Sequence, residues 1–251
     1  MPFTFSHPAA VLPLLPLRLV PSALVIGSMT PDLPYYVPGL PISSVDTHAA
    51  SGIVGLDLAL GVLVFAVWHV LLAPTLVALA PPALRDRLAP GLPVQARWHA
   101  RTVVAVVLVL VSLMAGAATH VLLDSFTHHD RWGTDRIDWL SETHGPFVGY
   151  KWLQYTSSAL GLAVLALVVG RWWLRTPPQP GRQRVPALGR RAAITAAAVV
   201  PAAGVLGALA GLATASGGLF DFGFRALTWG CAAAAASLLA LAVLHSTRSS
   251  A

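Results

Sequence analysis

Charge is what this chain has least of. Only 10% of its 251 residues are Asp, Glu, Lys or Arg, against 56% hydrophobic, whereas a soluble domain carries about a quarter charged residues. That scarcity excludes an ordinary solvated globule, and the mean hydropathy of +0.70 points to a membrane protein. Cysteine is nearly missing too. Cys231 stands alone in an apolar run, which excludes an intramolecular disulfide framework, leaves the redox compartment open and reads as a small buried residue. No basic segment precedes an uninterrupted apolar core at the N-terminus, so a cleavable signal peptide is not expected. A nucleophile elbow is also lacking, which disfavours a serine hydrolase.

What is present is length without charge. About 20 apolar residues cross the hydrocarbon core as a helix, and five stretches qualify: 53–80, 102–123, 156–174, 192–215 and 226–244. The run from Ala9 to Ile26 is apolar as well, but Pro13, Pro16, Pro21 and Arg18 interrupt it. It reads as an interfacial or re-entrant helix, with a sixth span as the alternative. The fold class expected is therefore all-α, a polytopic membrane helix bundle. Residues 1–165 form a metal-site membrane domain. The end of the third span and a Pro-, Gly- and Arg-rich linker occupy 166–191, and 192–251 is a two-helix packing segment in which Gly204, Gly207 and Gly211 permit close contact.

The net charge of +6 is a topology signal. Arg85, Arg87, Arg97 and Arg101 fall between the first two spans, and Arg171, Arg175, Arg182, Arg184, Arg190 and Arg191 surround the loop after the third. By the positive-inside rule both loops are cytoplasmic, which places the chain in the cell (inner) membrane with its N-terminus outside and its C-terminus within. The arginines follow alternate loops, so no nucleic-acid partner is expected. With this topology nearly every acid and most histidines fall on the outer face. His69, deep in the first span, reads as a satisfied core histidine.

One stretch, "GAATHVLLDSFTHHDRWGTD", gathers ionisable groups where a greasy segment ends, and such groups need a structural or chemical use near hydrocarbon. If the second span continues, His120, Asp124 and His128 share one helical face at i, i+4 and i+8. Imidazole and carboxylate are the usual zinc ligands, and the remaining ligands must come from elsewhere in the chain. His7 before Pro8, Asp32 between Pro31 and Pro34, and Asp46 with His48 at the start of the first span lie at the same depth. Asp57, an acid just inside that span, suits a hydrogen bond to a metal-bound histidine.

"MPFTFSHPAAVLPL", "GSMTPDLPYY", "HVLLDSFTH" and "YKWLQYTSSALGL" together resemble an uncharacterised family of bacterial membrane proteins that opens with MPFTxSHPAA, a domain of unknown function. That family is in turn similar to membrane-bound metal-dependent hydrolases, whose SHLLLDxxT motif matches "THVLLDSFT", and which are distantly compared with zinc-dependent phospholipase C. The resemblance implies a metal held by His7, Asp32, His48, His120 and Asp124. Where those relatives carry HRGxTHS, this chain has "DTHAASG" and no basic residue for a phosphate.

The function expected is a metal-dependent hydrolase with a divalent metal cofactor, zinc, acting on a lipid-linked or surface ester or phosphodiester at the extracytoplasmic face. Membrane lipid is its expected partner. His128, Asp130 and His144 would relay protons. The alternatives are a membrane scaffold with a structural metal, and a metal or proton carrier.

Overall fold

The computed structural model describes residues 3–37, 39, 41–88, 102–181 and 185–249. Arg97, Arg101, Arg182 and Arg184, used above for topology, lie outside the described residues. The protein is all-α, with a single two-stranded hairpin among the described residues. We label the helices α1 (Pro21–Gly27), α2 (Leu56–Leu79), α3 (Val103–Thr127), α4 (Gly149–Arg175), α5 (Arg190–Thr214) and α6 (Leu219–Ser249). From α2 onward these five are long and apolar enough to cross a membrane. They match the five hydrophobic stretches read from sequence, and α4 begins seven residues earlier than expected.

Valine is a mediocre helix former, yet α3 is rich in it. A hydrocarbon surround leaves backbone amides no partner but one another, so the helix wins. Thr102 caps it, its side chain accepting from the Ala105 N–H at 3.2 Å. Large apolar side chains such as Val103, Leu167, Leu174 and Leu206 stay exposed along these helices, as a lipid-facing surface requires.

The N-terminal run is not one helix. Residues Thr4–Leu17 form a 3-10 helix holding Pro8, Pro13 and Pro16, Arg18 takes a left-handed conformation with φ of 59°, and α1 follows. Each proline removes an amide donor, which spoils the α-helical ladder. After the break the Val20 N–H is met by Ser112 Oγ at 2.9 Å.

The chain divides into two compact units. The first comprises Met1–Leu33, Pro41–Phe65 and His99–Thr176. Its apolar core gathers Val20, Ala23, Phe65, Val109 and Leu113. Here α1 and α3 touch backbone to backbone. A side chain on Gly27 would run into the Leu113 carbonyl, and one on Gly116 into the Leu24 carbonyl. Two glycines at the crossing are thus what the packing demands.

The second unit comprises Pro34–Leu40, Ala66–Trp98 and Pro177–Ala251. Its α5 and α6 pack closely where Gly207 faces the Trp229 carbonyl and Gly211 the Arg225 carbonyl, while Gly204 makes only ordinary contact. His69 is buried in a π-helical turn, Trp68–Leu72, just ahead of Pro74. Cys231 lies on α6, part-buried and without a disulfide.

Candidate metal centre

Four chain segments of the first unit converge on one point. The N-terminal 3-10 helix brings His7, and a short 3-10 turn, Thr30–Asp32, brings Asp32 on a mount stiffened by Pro31 and Pro34. His48 ends the short helix Ser44–Thr47. The C-terminal end of α3 supplies His120 and Asp124, one turn apart on its buried face. All five side chains are buried, with His7, Asp32 and His120 at 0% exposure.

The distances are those of atoms sharing a centre. His48 Nε2 lies 3.4 Å from Asp32 Oδ1 and 3.2 Å from Asp124 Oδ2. His120 Nε2 lies 3.5 Å from each of the same two oxygens. Asp32, His48, His120 and Asp124 therefore offer four ligand atoms within 4.8 Å of one another. Two ligands bound at about 2.0–2.1 Å in a tetrahedron sit roughly 3.3 Å apart, which these spacings approach. His7 joins from one side: its ring stacks on His120 at 3.7 Å, and its Nε2 is 3.6 Å from Asp124 Oδ1.

Hydrogen bonds turn both cluster imidazoles inward. His120 Nδ1 donates to the Ser28 carbonyl at 2.7 Å, and His48 Nδ1 to the Ser44 carbonyl at 2.8 Å. A carbonyl can only accept, so Nδ1 carries a proton and Nε2 is the ring nitrogen that faces the cluster. The glycine crossing of α1 and α3 makes the first of these bonds, since it brings Ser28 against the turn of α3 that ends in His120. Thr4 Oγ1 donates to Asp32 Oδ2 at 2.5 Å and fixes that carboxylate.

The inward-facing atoms are the unsatisfied ones. Asp32 Oδ1, His120 Nε2, Asp124 Oδ2 and both ring nitrogens of His7 are buried without a hydrogen-bond partner. Buried polar atoms are nearly always paired. A cation at their common centre would satisfy Asp32 Oδ1, His120 Nε2 and Asp124 Oδ2 together, so the residues present fit a metal ion.

Electrostatics prepare most of the set. Burial, helped by His120 beside it, pushes His7 down to about 3, so it is a neutral ring at pH 7. Burial opposes ionisation of Asp32, but His120 and His48 outweigh it and hold that carboxyl well below the usual range. For His48, burial is outweighed in turn by the Asp124 and Asp32 carboxylates facing its ring, and its value is raised. An incoming cation must displace that proton.

The other sequence-derived residues fall as follows. Helix α3 stops at Thr127, and His128 is extended, with φ of −130°, so the expected continuous i, i+4, i+8 face is not formed. His128 still turns back, its Nδ1 3.5 Å from Asp124 Oδ2, and burial lowers it to about 4. Asp46 is exposed. Asp130 points outward and pairs with His129 at 2.7 Å. His144, on a hairpin whose strands are β1 (Thr143–His144) and β2 (Phe147–Val148), stacks on Trp139 and bonds its carbonyl at 2.8 Å. Neither is brought to the cluster. Asp57 does not bond a cluster histidine as expected, because backbone carbonyls hold both Nδ1 atoms; its carboxylate is buried with neither oxygen hydrogen-bonded. Thr4, Ser28 and Gln154 were missed. Gln154, fully buried on α4, donates from Nε2 to the Thr127 carbonyl at 3.2 Å. A polar residue early in an otherwise greasy helix was the available signal.

Among known proteins, the family described as Domain of unknown function (DUF4184) matches residues 1–245. No curated protein and no solved structure matches the chain.

Proposed function

We propose that the chain, which belongs to the DUF4184 family, is a membrane-bound metal-dependent hydrolase acting on a lipid-linked or surface ester or phosphodiester at the extracytoplasmic face. The observation that carries the reading is the set of buried, inward-facing ligand atoms without hydrogen bonds. Asp32, His48, His120 and Asp124 hold the ion, with His7 alongside, and zinc suits a set of imidazoles and carboxylates. Such an ion supplies Lewis acidity, polarising the bond under attack and bringing the pKa of water toward 7.

The chain's own residues do the rest. Asp32 and Asp124 neutralise the ion's charge, and His48 and His120 are held in one tautomer by Ser44 and Ser28. His128 has 21% side-chain exposure, against 0–4% for the five ligand candidates. It is the histidine at the cluster placed to exchange a proton with solvent. Asp130 and His144, held elsewhere, have no part in this reading. Arg85, Arg171 and Arg175, flanking the spans, support the outer placement of the cluster.

A second reading has one observation in its favour. Four ligands all but sealed from solvent resemble a closed structural site, which would make the protein a scaffold tied together by its ion. Detergent-purified protein should contain close to one zinc per chain by plasma mass spectrometry and hydrolyse a member of a panel of phosphodiesters, carboxylic esters and amides. Chelation should stop hydrolysis and added zinc restore it. Metal-bearing protein that hydrolyses nothing, yet exposes residues 8–50 to protease on chelation, would make the ion structural.

A further inference from the structure

Helix α4 carries a gauge of membrane thickness. Trp152 and Tyr155 stand in its first two turns, and Trp172 and Trp173 in its last. At about 1.5 Å per residue, Tyr155 and Trp172 are roughly 26 Å apart along the axis, and Trp152 and Trp173 roughly 32 Å. These lengths bracket the hydrocarbon core, which is about 30 Å thick. Between the two pairs no residue from 156 to 170 is charged, and Leu160, Leu162, Val164 and Leu167 are exposed. Tryptophan and tyrosine concentrate where hydrocarbon meets headgroups, so Trp152 and Tyr155 mark that level. The mouth of the cluster lies there too. Gln154, between the two aromatics in sequence, donates to the carbonyl of Thr127, the last residue of α3, at 3.2 Å. His128 follows, and Asp124 is about one turn back along α3.

The segment joining α3 to α4 is held down on the same level. Trp152 Nε1 donates to the His144 carbonyl at 2.8 Å, and the Phe147 ring packs edge-on against Trp152 at 5.2 Å and Tyr155 at 5.3 Å. A side chain on Gly149 would run into the Trp139 carbonyl, so α4 starts hard against this loop. The rings touch one another, yet nothing covers them: Trp139 is 49% exposed, Tyr155 43%, and Phe147 and Trp152 38% each. A contiguous exposed aromatic patch marks an interaction surface. Continuity selects its occupant. Trp152 and Tyr155 belong both to the patch and to the lipid-facing span, so the lipid around α4 also meets the loop. Rings with one apolar and one polar edge suit the headgroup region. The exposed acids Asp135, Asp138 and Glu142 of the same segment exclude hydrocarbon and keep the loop no deeper than that.

We propose that residues 132–155 form an interfacial platform, whose aromatic face lies among the lipid headgroups and holds the mouth of the metal cluster at the depth of the glycerol esters of the bilayer. The placement stands without the hydrolase reading. Where that reading holds as well, the bond within reach is a glycerol ester, or the adjoining phosphodiester, of a lipid that never leaves the membrane.

Spin labels test the placement in the metal-loaded full chain, reconstituted in phosphatidylcholine vesicles with every aromatic ring kept. With Cys231 replaced by alanine, nitroxides are attached at Ser141→Cys and Thr143→Cys, both exposed in the loop, and at Leu167→Cys in the span. Power-saturation EPR compares collisions with oxygen, which prefers hydrocarbon, and with a nickel chelate, which stays in water. Lipids labelled in the headgroup and along the acyl chain calibrate depth. Positions 141 and 143 should fall between the headgroup and the first acyl carbons, and position 167 far inside. Combining Trp139→Ala with Phe147→Ala should raise nickel collisions at 141 and 143 severalfold and leave 167 unchanged.

Loop labels that meet the nickel chelate as freely as a label in water would lift the loop off the bilayer and overturn the proposal. An interfacial depth that the double variant leaves unmoved would overturn it as well, since the aromatic rings would not be what holds the loop. So would dipolar broadening between loop labels that vanishes on dilution with unlabelled chain, which would put a second copy on the patch. If the double variant fails to insert, the depths in the chain with its rings intact decide alone. None of these readings involves turnover, so the placement and the hydrolase reading fail separately.

Discussion

Replacing Gly116 with alanine should weaken metal binding from a position that touches no ligand. The added methyl group would lie 2.7 Å from the Ser28 amide nitrogen and closer still to the Leu24 carbonyl oxygen. Carbon needs about 3.5 Å from such atoms, so α1 must withdraw by roughly 1 Å. The bond from His120 Nδ1 to the Ser28 carbonyl, 2.7 Å long, would then open to about 3.7 Å, beyond hydrogen-bonding range. Loss of a group that orients a metal-bound histidine costs roughly 10–100-fold in affinity, which is about 1.4–2.8 kcal/mol. Strained packing should remove about 1–3 kcal/mol of stability as well, partly offset by alanine's helix propensity, worth up to about 1 kcal/mol over glycine. Stability is therefore an ambiguous readout and metal affinity a clean one. Competition with a chromogenic chelator for zinc, in detergent, measures it directly. Gly170→Ala on α4, where an added methyl meets nothing within 4 Å, isolates the propensity effect and should leave affinity alone. A Gly116→Ala protein that binds zinc like the wild type, beside a His120→Ala protein that does not, would show that the helix crossing does not orient His120.

Asp57→Asn should raise the melting temperature, because a buried carboxylate without a hydrogen bond is costly, while affinity for zinc falls less than the roughly tenfold expected of a residue that orients a ligand; a metal-free Asp57→Asn protein would instead make it a ligand. Zinc affinity should rise with pH through the range above the ordinary histidine value of about 6.5, since His48 is raised in the metal-free protein and must lose its proton to bind; a titration flat from pH 6 to 8 would refute that. A reporter active only outside the cytoplasm should work when fused after Asp135 and fail when fused after Leu188, and the opposite pattern would move the cluster to the cytoplasmic face.

Hydropathy alone located the five long helices, because in hydrocarbon the demand for internal hydrogen bonding overrides local preference. Proximity was legible for Asp32, His48, His120 and Asp124 because all are ionisable groups at the edge of apolar segments. What sequence spacing missed was local backbone. The break at Arg18 falls among the interruptions the sequence did show, but the end of α3 at Thr127 comes without a glycine or proline to announce it. The hairpin around Gly145, whose φ is 67°, did have a signal in its Gly-Pro pair. Asp57 shows the opposite error: a plausible partner was named, and the competing carbonyls of Ser28 and Ser44, which carry no side-chain signature, had taken the place.

The seating of Phe3 on Ser158 sets an order of events during synthesis. The two residues are 155 positions apart, so at about 5–20 residues per second the ribosome needs roughly 8–30 s to make the second after the first. For most of that interval the segment bearing His7 has no α3 carboxylate to rest on, and for all of it no complete α4 face. The N-terminal arm can therefore be seated only after the third long helix is made, and a chain arrested before it would present that arm to quality-control proteases.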